Sequence, residues 1–175
     1  MVGGGQGALI GAVHRLAARM DDRYELVAGC FAGDPERSRR SGEELGLAAE
    51  RVYASYGEMA AAERGRVDPI DVVAIVTPNH LHLPVSAAFL DAGFHVICDK
   101  PLTTTLAEAL ELARLVQASD RLFLLSHNYV AYPMVREARA LVASGALGRL
   151  RVVQVEYPQD WLALPIEREG HKQAD

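Results

Sequence analysis

Cysteine is scarce in this 175-residue chain. Only Cys30 and Cys98 are present, each at the end of an apolar run. Two such residues make no disulfide framework; they read as buried free thiols in a reducing, cytoplasmic setting. Long apolar runs are missing too, so no membrane span is expected. No secretory n-region or h-region opens the chain. Positive charge is in deficit: the formal net charge is −5, which argues against nucleic acid as a partner. The basic spot at Arg37, Arg39 and Arg40 reads as a solvated helix face. His80 and His82 form an H-x-H, but no nearby Cys, Asp or Glu completes a ligand set, so no metal site is expected. No order of Ser, His and Asp suggests nucleophilic catalysis. Repeats and low-complexity segments are absent. What remains is ordinary globular composition, half of it hydrophobic, and length enough for one domain with a proper core.

Glycine, by contrast, is concentrated at the start. Gly3, Gly4, Gly5, Gly7 and Gly11 fall within nine positions. They open into a helical pattern of Ala8, Leu9, Ala12, Val13, Leu16, Ala17 and Met20. A chain turning sharply from strand to helix needs residues that accept positive φ, and a phosphate needs bare backbone N–H groups at a helix N-terminus. Gly5, Gly7 and Gly11 therefore make a candidate dinucleotide turn, G-x-G-x-x-x-G, one residue longer than the usual spacing. Only Met1 and Val2 precede Gly3, so the central first strand is expected to be shortened, or to have its true start upstream.

Downstream, strands and helices alternate. Tyr24–Cys30 reads as the second strand. Asp34 caps a helix that begins at Pro35 and ends near Leu45 before Gly46. Val52-Tyr53 reads as a short strand, and Ser55 to Glu58 as a capping box. Asp71–Val76, apolar without alternation, fits a parallel strand covered on both faces. A helix over Leu81–Ala92 leads to the strand Phe94–Cys98. A capping box at Thr105 to Glu108 opens a helix to Ala118, and the strand Leu122–Leu125 follows. Such alternation predicts an α/β fold, a Rossmann-type doubly wound parallel sheet. A helix from Pro133 to about Ala143 comes next. Arg149–Tyr157 alternates apolar with polar residues, as a half-solvated strand does. It reads as the truncated start of an α+β second domain. The expected division is 1–128 for dinucleotide binding and 129–175 for the start of the second domain.

In such a sheet, ligands bind beyond the carboxyl ends of the strands. That rule selects four loops: Gly3–Gly7, Thr77–His82, Asp99–Pro101 and Ser126–Tyr129. Lys100 is the sharpest candidate, because an ammonium at a strand end faces the crevice and is suited to proton transfer with a substrate hydroxyl. Asp99 is expected to hold it by charge pairing. His82 is placed at a helix start near the cofactor, and His14 on the first helix. A ribose-binding acid should end the second strand, about 20 residues beyond the glycines. Cys30, Phe31, Ala32 and Gly33 stand there instead, and Asp34 is occupied as a cap, so NAD and NADP both stay open.

Four stretches together resemble one family, the glucose-fructose oxidoreductase / inositol dehydrogenase / MocA family. They are GGGQGALIGAVHR at Gly3–Arg15, VAIVTPNHLH at Val73–His82, HVICDKPLT at His95–Thr103, and SHNYVAYPMVREARALVASGALG at Ser126–Gly148. They run in the family's order. Where the family usually has Glu-Lys-Pro, this chain has Asp99-Lys100-Pro101, which keeps the charge. The resemblance implies that Gly5, Gly7 and Gly11 line the pyrophosphate of NAD or NADP. Thr77, Pro78, Asn79 and His82 would run beside the ribose and nicotinamide. Lys100 would be the catalytic or substrate-orienting lysine beside the cofactor, with Asp99 in support. Asn128 and Tyr129 would lie near the nicotinamide and the substrate respectively. It also implies hydride transfer between NAD(P) and a secondary alcohol or ketone of a sugar, inositol or related polyol, in a homo-oligomer whose second domain holds substrate. The chain stops before that domain's catalytic Asp-x-x-x-His-like motif. Two other readings stand beside this one: a dinucleotide sensor without turnover, which need not keep Lys100, and an inactive fragment with an exposed sheet edge.

Overall fold

A computed structural model describes residues 1–160 and 163. It divides into two compact units, Met1–Tyr129 and Val130–Asp175. The first is built on a parallel sheet of four strands: β1 (Val2–Gly3), β2 (Val72–Val76), β3 (His95–Asp99) and β4 (Phe123–Ser126), adjacent in that order. Helices α1 (Leu9–Arg19), α2 (Pro35–Glu44), α3 (Tyr56–Arg64), α4 (His82–Asp91) and α5 (Leu106–Ala118) connect them. Val2 bridges Cys30, and Gly29 in turn bridges Val52, both in the parallel sense. With these single-residue partners added, the chain order across the sheet becomes 3-2-1-4-5-6, the doubly wound order. The reversal falls between β1 and β2.

Local chemistry explains the helix ends. Asp34 accepts a hydrogen bond from the Arg37 N–H at 2.7 Å, with Pro35 at the first helical position. Ser55 accepts from the Glu58 N–H at 3.1 Å. At α5 the capping box is complete: Thr105 accepts from the Glu108 N–H, and Glu108 accepts from the Thr105 N–H at 3.0 Å. β2 and β3 are the spine of the core. Val73, Ile75, Val96 and Cys98 pack with Val85 and Phe89 of α4, Met59 of α3 and Leu112 of α5, all fully buried. Both cysteines are free and buried, and burial pushes the Cys98 thiol up to about 12. Among the described residues no helix is long and apolar enough to cross a membrane.

Three expected strands are reduced. Tyr24–Cys30 is reduced to the bridging pair Gly29 and Cys30, which meets Val2 of the short β1 on one side and Val52 on the other. Gly3 N–H donates to Cys30 O at 2.8 Å and Cys30 N–H to Met1 O at 3.0 Å, so Tyr24–Val27 find no ladder partner. Val52-Tyr53 is likewise a single bridge. Arg149–Tyr157 forms no strand, and Val152, Val153, Val155 and Tyr157 are all exposed. A half-solvated strand needs a neighbour to complete its ladder, and the described residues of the second unit supply none. That unit's regular element is α6 (Pro133–Ala143).

The first helix also differs in how it packs. Its apolar residues Leu9, Val13 and Leu16 are exposed, as is Met20 at its C-cap, and its one buried residue is Gly11. A Cβ on Gly11 would lie 2.4 Å from Gly4 Cα. Close approach of backbone to backbone, not burial of the apolar stripe, seats α1 on the turn.

Candidate active site

Strand register sets the geometry. Gly3 pairs with Val76, Ile75 with Cys98, and Asp99 with Ser126. The last residues of all four strands therefore stand level, and the four loops selected from the sequence leave the sheet from one line.

At the β1 end, Gly7 has φ +75°, a conformation L side chains rarely adopt, and a Cβ there would meet only Arg37 Nη2 at 3.8 Å. The turn thus needs glycine at Gly7 for its backbone, at Gly11 for packing on Gly4, and at Gly5 because a Cβ would lie 2.6 Å from Ser41 Oγ. Arg15 Nη1 donates to Gly4 O at 2.8 Å, and Arg37 Nη2 to Gln6 O at 2.7 Å, which fixes the turn from two helices. No side chain caps α1, whose N-cap is Ala8. Its first-turn N–H groups are left for an anion. A groove of about 440 Å³ opens here, walled by Leu9, Ala12 and Arg15 of α1 and by Ser41, Glu44 and Leu45 at α2.

At the β2 end, the Thr77 hydroxyl is buried, with no hydrogen-bond partner among the described residues. Pro78 and Asn79 are exposed and lead through a 3-10 turn, Asn79–Leu81, into α4. His82 is fully buried. Its Nδ1 lies 2.6 Å from Pro101 O and its Nε2 3.2 Å from Thr77 O. Both ring nitrogens are used on backbone carbonyls, so His82 joins two loops instead of presenting its ring to a ligand. That also takes it out of any metal pair with His80.

Lys100 follows β3 and is exposed; no ion pair among the described residues reaches its ammonium. Asp99 does not pair with that ammonium. Its Oδ1 accepts the Lys100 backbone N–H and the Ser126 hydroxyl, both at 2.9 Å. His14 Nε2 approaches the same oxygen at 3.8 Å. Asp99 therefore supports the backbone that carries Lys100. The His14 contact escaped sequence reasoning, although His14 stands three residues after Gly11 and so shares its sheet-facing side of α1. Asn128 and Tyr129 begin a 3-10 turn just beyond β4, both exposed.

A doubly wound sheet whose crevice at the order reversal is floored by a glycine turn and an uncapped helix start is a dinucleotide-binding Rossmann domain. The buried Thr77 hydroxyl and the open face of Gly7 fit a bound dinucleotide. The chain belongs to the glucose-fructose oxidoreductase / inositol dehydrogenase / MocA family, whose profile, described as an oxidoreductase family with an NAD-binding Rossmann fold, matches residues 1–127. Among solved structures it is similar to an oxidoreductase from Sinorhizobium meliloti, at 57% identity and a TM-score of 0.88, over 93% of this chain and 45% of that one. An inositol dehydrogenase homologue from Azotobacter vinelandii, solved with NADH and myo-inositol, is 41% identical with a TM-score of 0.82, over 86% of this chain and 42% of that one. An uncharacterized oxidoreductase of Bacillus subtilis is 39% identical over 93% of this chain and 42% of its own length. The chain thus spans less than half the length of each of these relatives.

Proposed function

We propose that the protein is an NAD(P)-dependent oxidoreductase that moves hydride between the cofactor and a secondary alcohol or ketone of a sugar, inositol or related polyol. In this reading residues 1–128 are its cofactor half, and 129–175 begin the domain that holds substrate and oligomer contacts. One observation carries it: Lys100, with no ion-pair partner among the described residues, is one residue past the level line of strand ends, beside the order reversal. A bound nicotinamide supplies the hydride acceptor or donor. The protein's own residues do the rest. Gly5, Gly7, Gly11 and the start of α1 hold the diphosphate, and Thr77, Pro78 and Asn79 line the ribose and nicotinamide side. Lys100 takes the proton as a carbinol hydroxyl becomes a carbonyl and returns it in the reverse direction. Asp99 holds Lys100 in place, and Asn128 and Tyr129 border cofactor and substrate. Myo-inositol, bound by the Azotobacter homologue, is the first substrate to try.

The test is titration of the full protein with NAD(H) and NADP(H) by calorimetry, followed by absorbance assays with myo-inositol and a panel of aldoses. Saturable binding with turnover is the expected result. Binding with no turnover on any polyol or sugar would favour the sensor reading, and no binding by the folded protein would overturn both.

A further inference from the structure

The sharpest polar feature that the reaction scheme leaves unused is His82. It is fully buried, yet neither ring nitrogen faces another side chain. Nδ1 meets Pro101 O at 2.6 Å and Nε2 meets Thr77 O at 3.2 Å. A carbonyl oxygen only accepts, so the shorter contact places a proton on Nδ1, and a second hydrogen bond to Thr77 O requires a proton on Nε2 as well. The two carbonyls belong to different loops. Thr77 is the first residue after β2, and Pro101 is bonded to Lys100. The ring itself sits at the first residue of α4, whose Val85 and Phe89 are locked in the core.

We propose that His82 is a positioning residue: a buried clasp that fastens the Lys100-Pro101 segment to the Thr77 loop. It sets the lysine's place relative to the bound dinucleotide. The inference rests on the reading of Lys100 as the proton-transfer group. Lys100 itself has no ion pair among the described residues to steady it. Its segment is gripped instead from both sides: Ser126 holds Asp99 at 2.9 Å on one side of the lysine, and His82 holds Pro101 at 2.6 Å on the other. A supporting shell of this kind keeps a reacting group within the fraction of an ångström that turnover needs.

The two arms separate by substitution in the full protein. His82→Asn puts an amide nitrogen near the position of Nδ1 and keeps the Pro101 arm. His82→Gln puts one near Nε2 and keeps the Thr77 arm. Hydrogen exchange read by mass spectrometry is the measurement, with peptides of α5 as the reference for an intact fold. In His82→Asn, amides 77–81 should exchange at least about threefold faster while 99–105 stay as in the wild type, and in His82→Gln the pattern should reverse. Equal loosening of both loops in both variants would mean that His82 only fills the core, and no change in either would mean there is no clasp. Nitrogen-15 spectra of the wild-type ring give a check that needs no variant: the clasp expects protons on both ring nitrogens, a bare Nδ1 would overturn the Pro101 arm and a bare Nε2 the Thr77 arm. Neither measurement needs turnover. A wild type that binds no dinucleotide would therefore sink the proposed function without touching the clasp.

Discussion

Two polar regions of the sheet contrast sharply. At the outer edge, beside Val52, the fully buried carboxylate of Glu63 is completely matched. Its Oε1 accepts from Arg51 Nε at 3.2 Å and the Tyr53 hydroxyl at 2.8 Å. Its Oε2 accepts from Arg51 Nη2 at 2.6 Å and the Ile70 N–H at 3.2 Å. Burial and the Glu63 carboxylate together push the Tyr53 phenol up to about 12. At the crevice the opposite holds. The Thr77 hydroxyl is buried and unmatched, α1 has no side-chain cap, and no ion pair among the described residues reaches Lys100. Among the described residues the buried side-chain atoms without a hydrogen-bond partner are the Thr77 hydroxyl at the crevice and the Ser86 hydroxyl within α4, and the first, at a strand end, fits a place where a ligand completes the set.

The contrast breaks most visibly at Lys100. In the full protein, Lys100→Ala should lower kcat by about two to four decades while dinucleotide affinity and thermal stability hold. Unchanged turnover would remove Lys100 from the chemistry. Glu63→Ala should do the reverse. Removing one partner leaves the buried Arg51 only the exposed Asp68 as counter-charge, and stability should fall by about 3 kcal/mol in denaturant titrations, with no specific effect on cofactor affinity once folded. A small loss there would mean that the cluster reorganises around water.

The smallest effect sharpens the crevice side of the comparison. Gly7→Val forces a β-branched residue to φ +75° and should weaken dinucleotide binding by about tenfold or more. Wild-type affinity in that variant would place the diphosphate elsewhere.

Much of this contrast is written locally in the sequence, and the rest is not. The run Asp71–Val76, the caps at Asp34 and Ser55, and the capping box at Thr105 need only neighbours within a few residues, so periodicity and cap chemistry reveal them. The glycine turn and Lys100 at a strand end follow from the same local logic plus the sheet rule. The Glu63 cluster does not. On its own helix α3, Glu63 reads as one more polar residue near the C-terminal end, and its meaning comes from Arg51, twelve positions earlier in a 3-10 turn. His14 facing Asp99, and His82 bridging Thr77 and Pro101, likewise depend on which loops the sheet brings side by side. Tyr24–Cys30 shows the converse: a run that reads as a strand meets its neighbours only at single bridges, Cys30 to Val2 and Gly29 to Val52.

The level line through Gly3, Val76, Asp99 and Ser126 carries one more consequence. A strand that slipped by one residue would move its loop by about 3.3 Å and turn every side chain on it to the opposite face. Slippage in β3 would take Asp99 away from Ser126 and drive Val96 and Cys98 out of the core together. Core packing therefore acts as the ruler for the chemistry. Val96, buried on β3 four residues before Lys100, helps to hold that register.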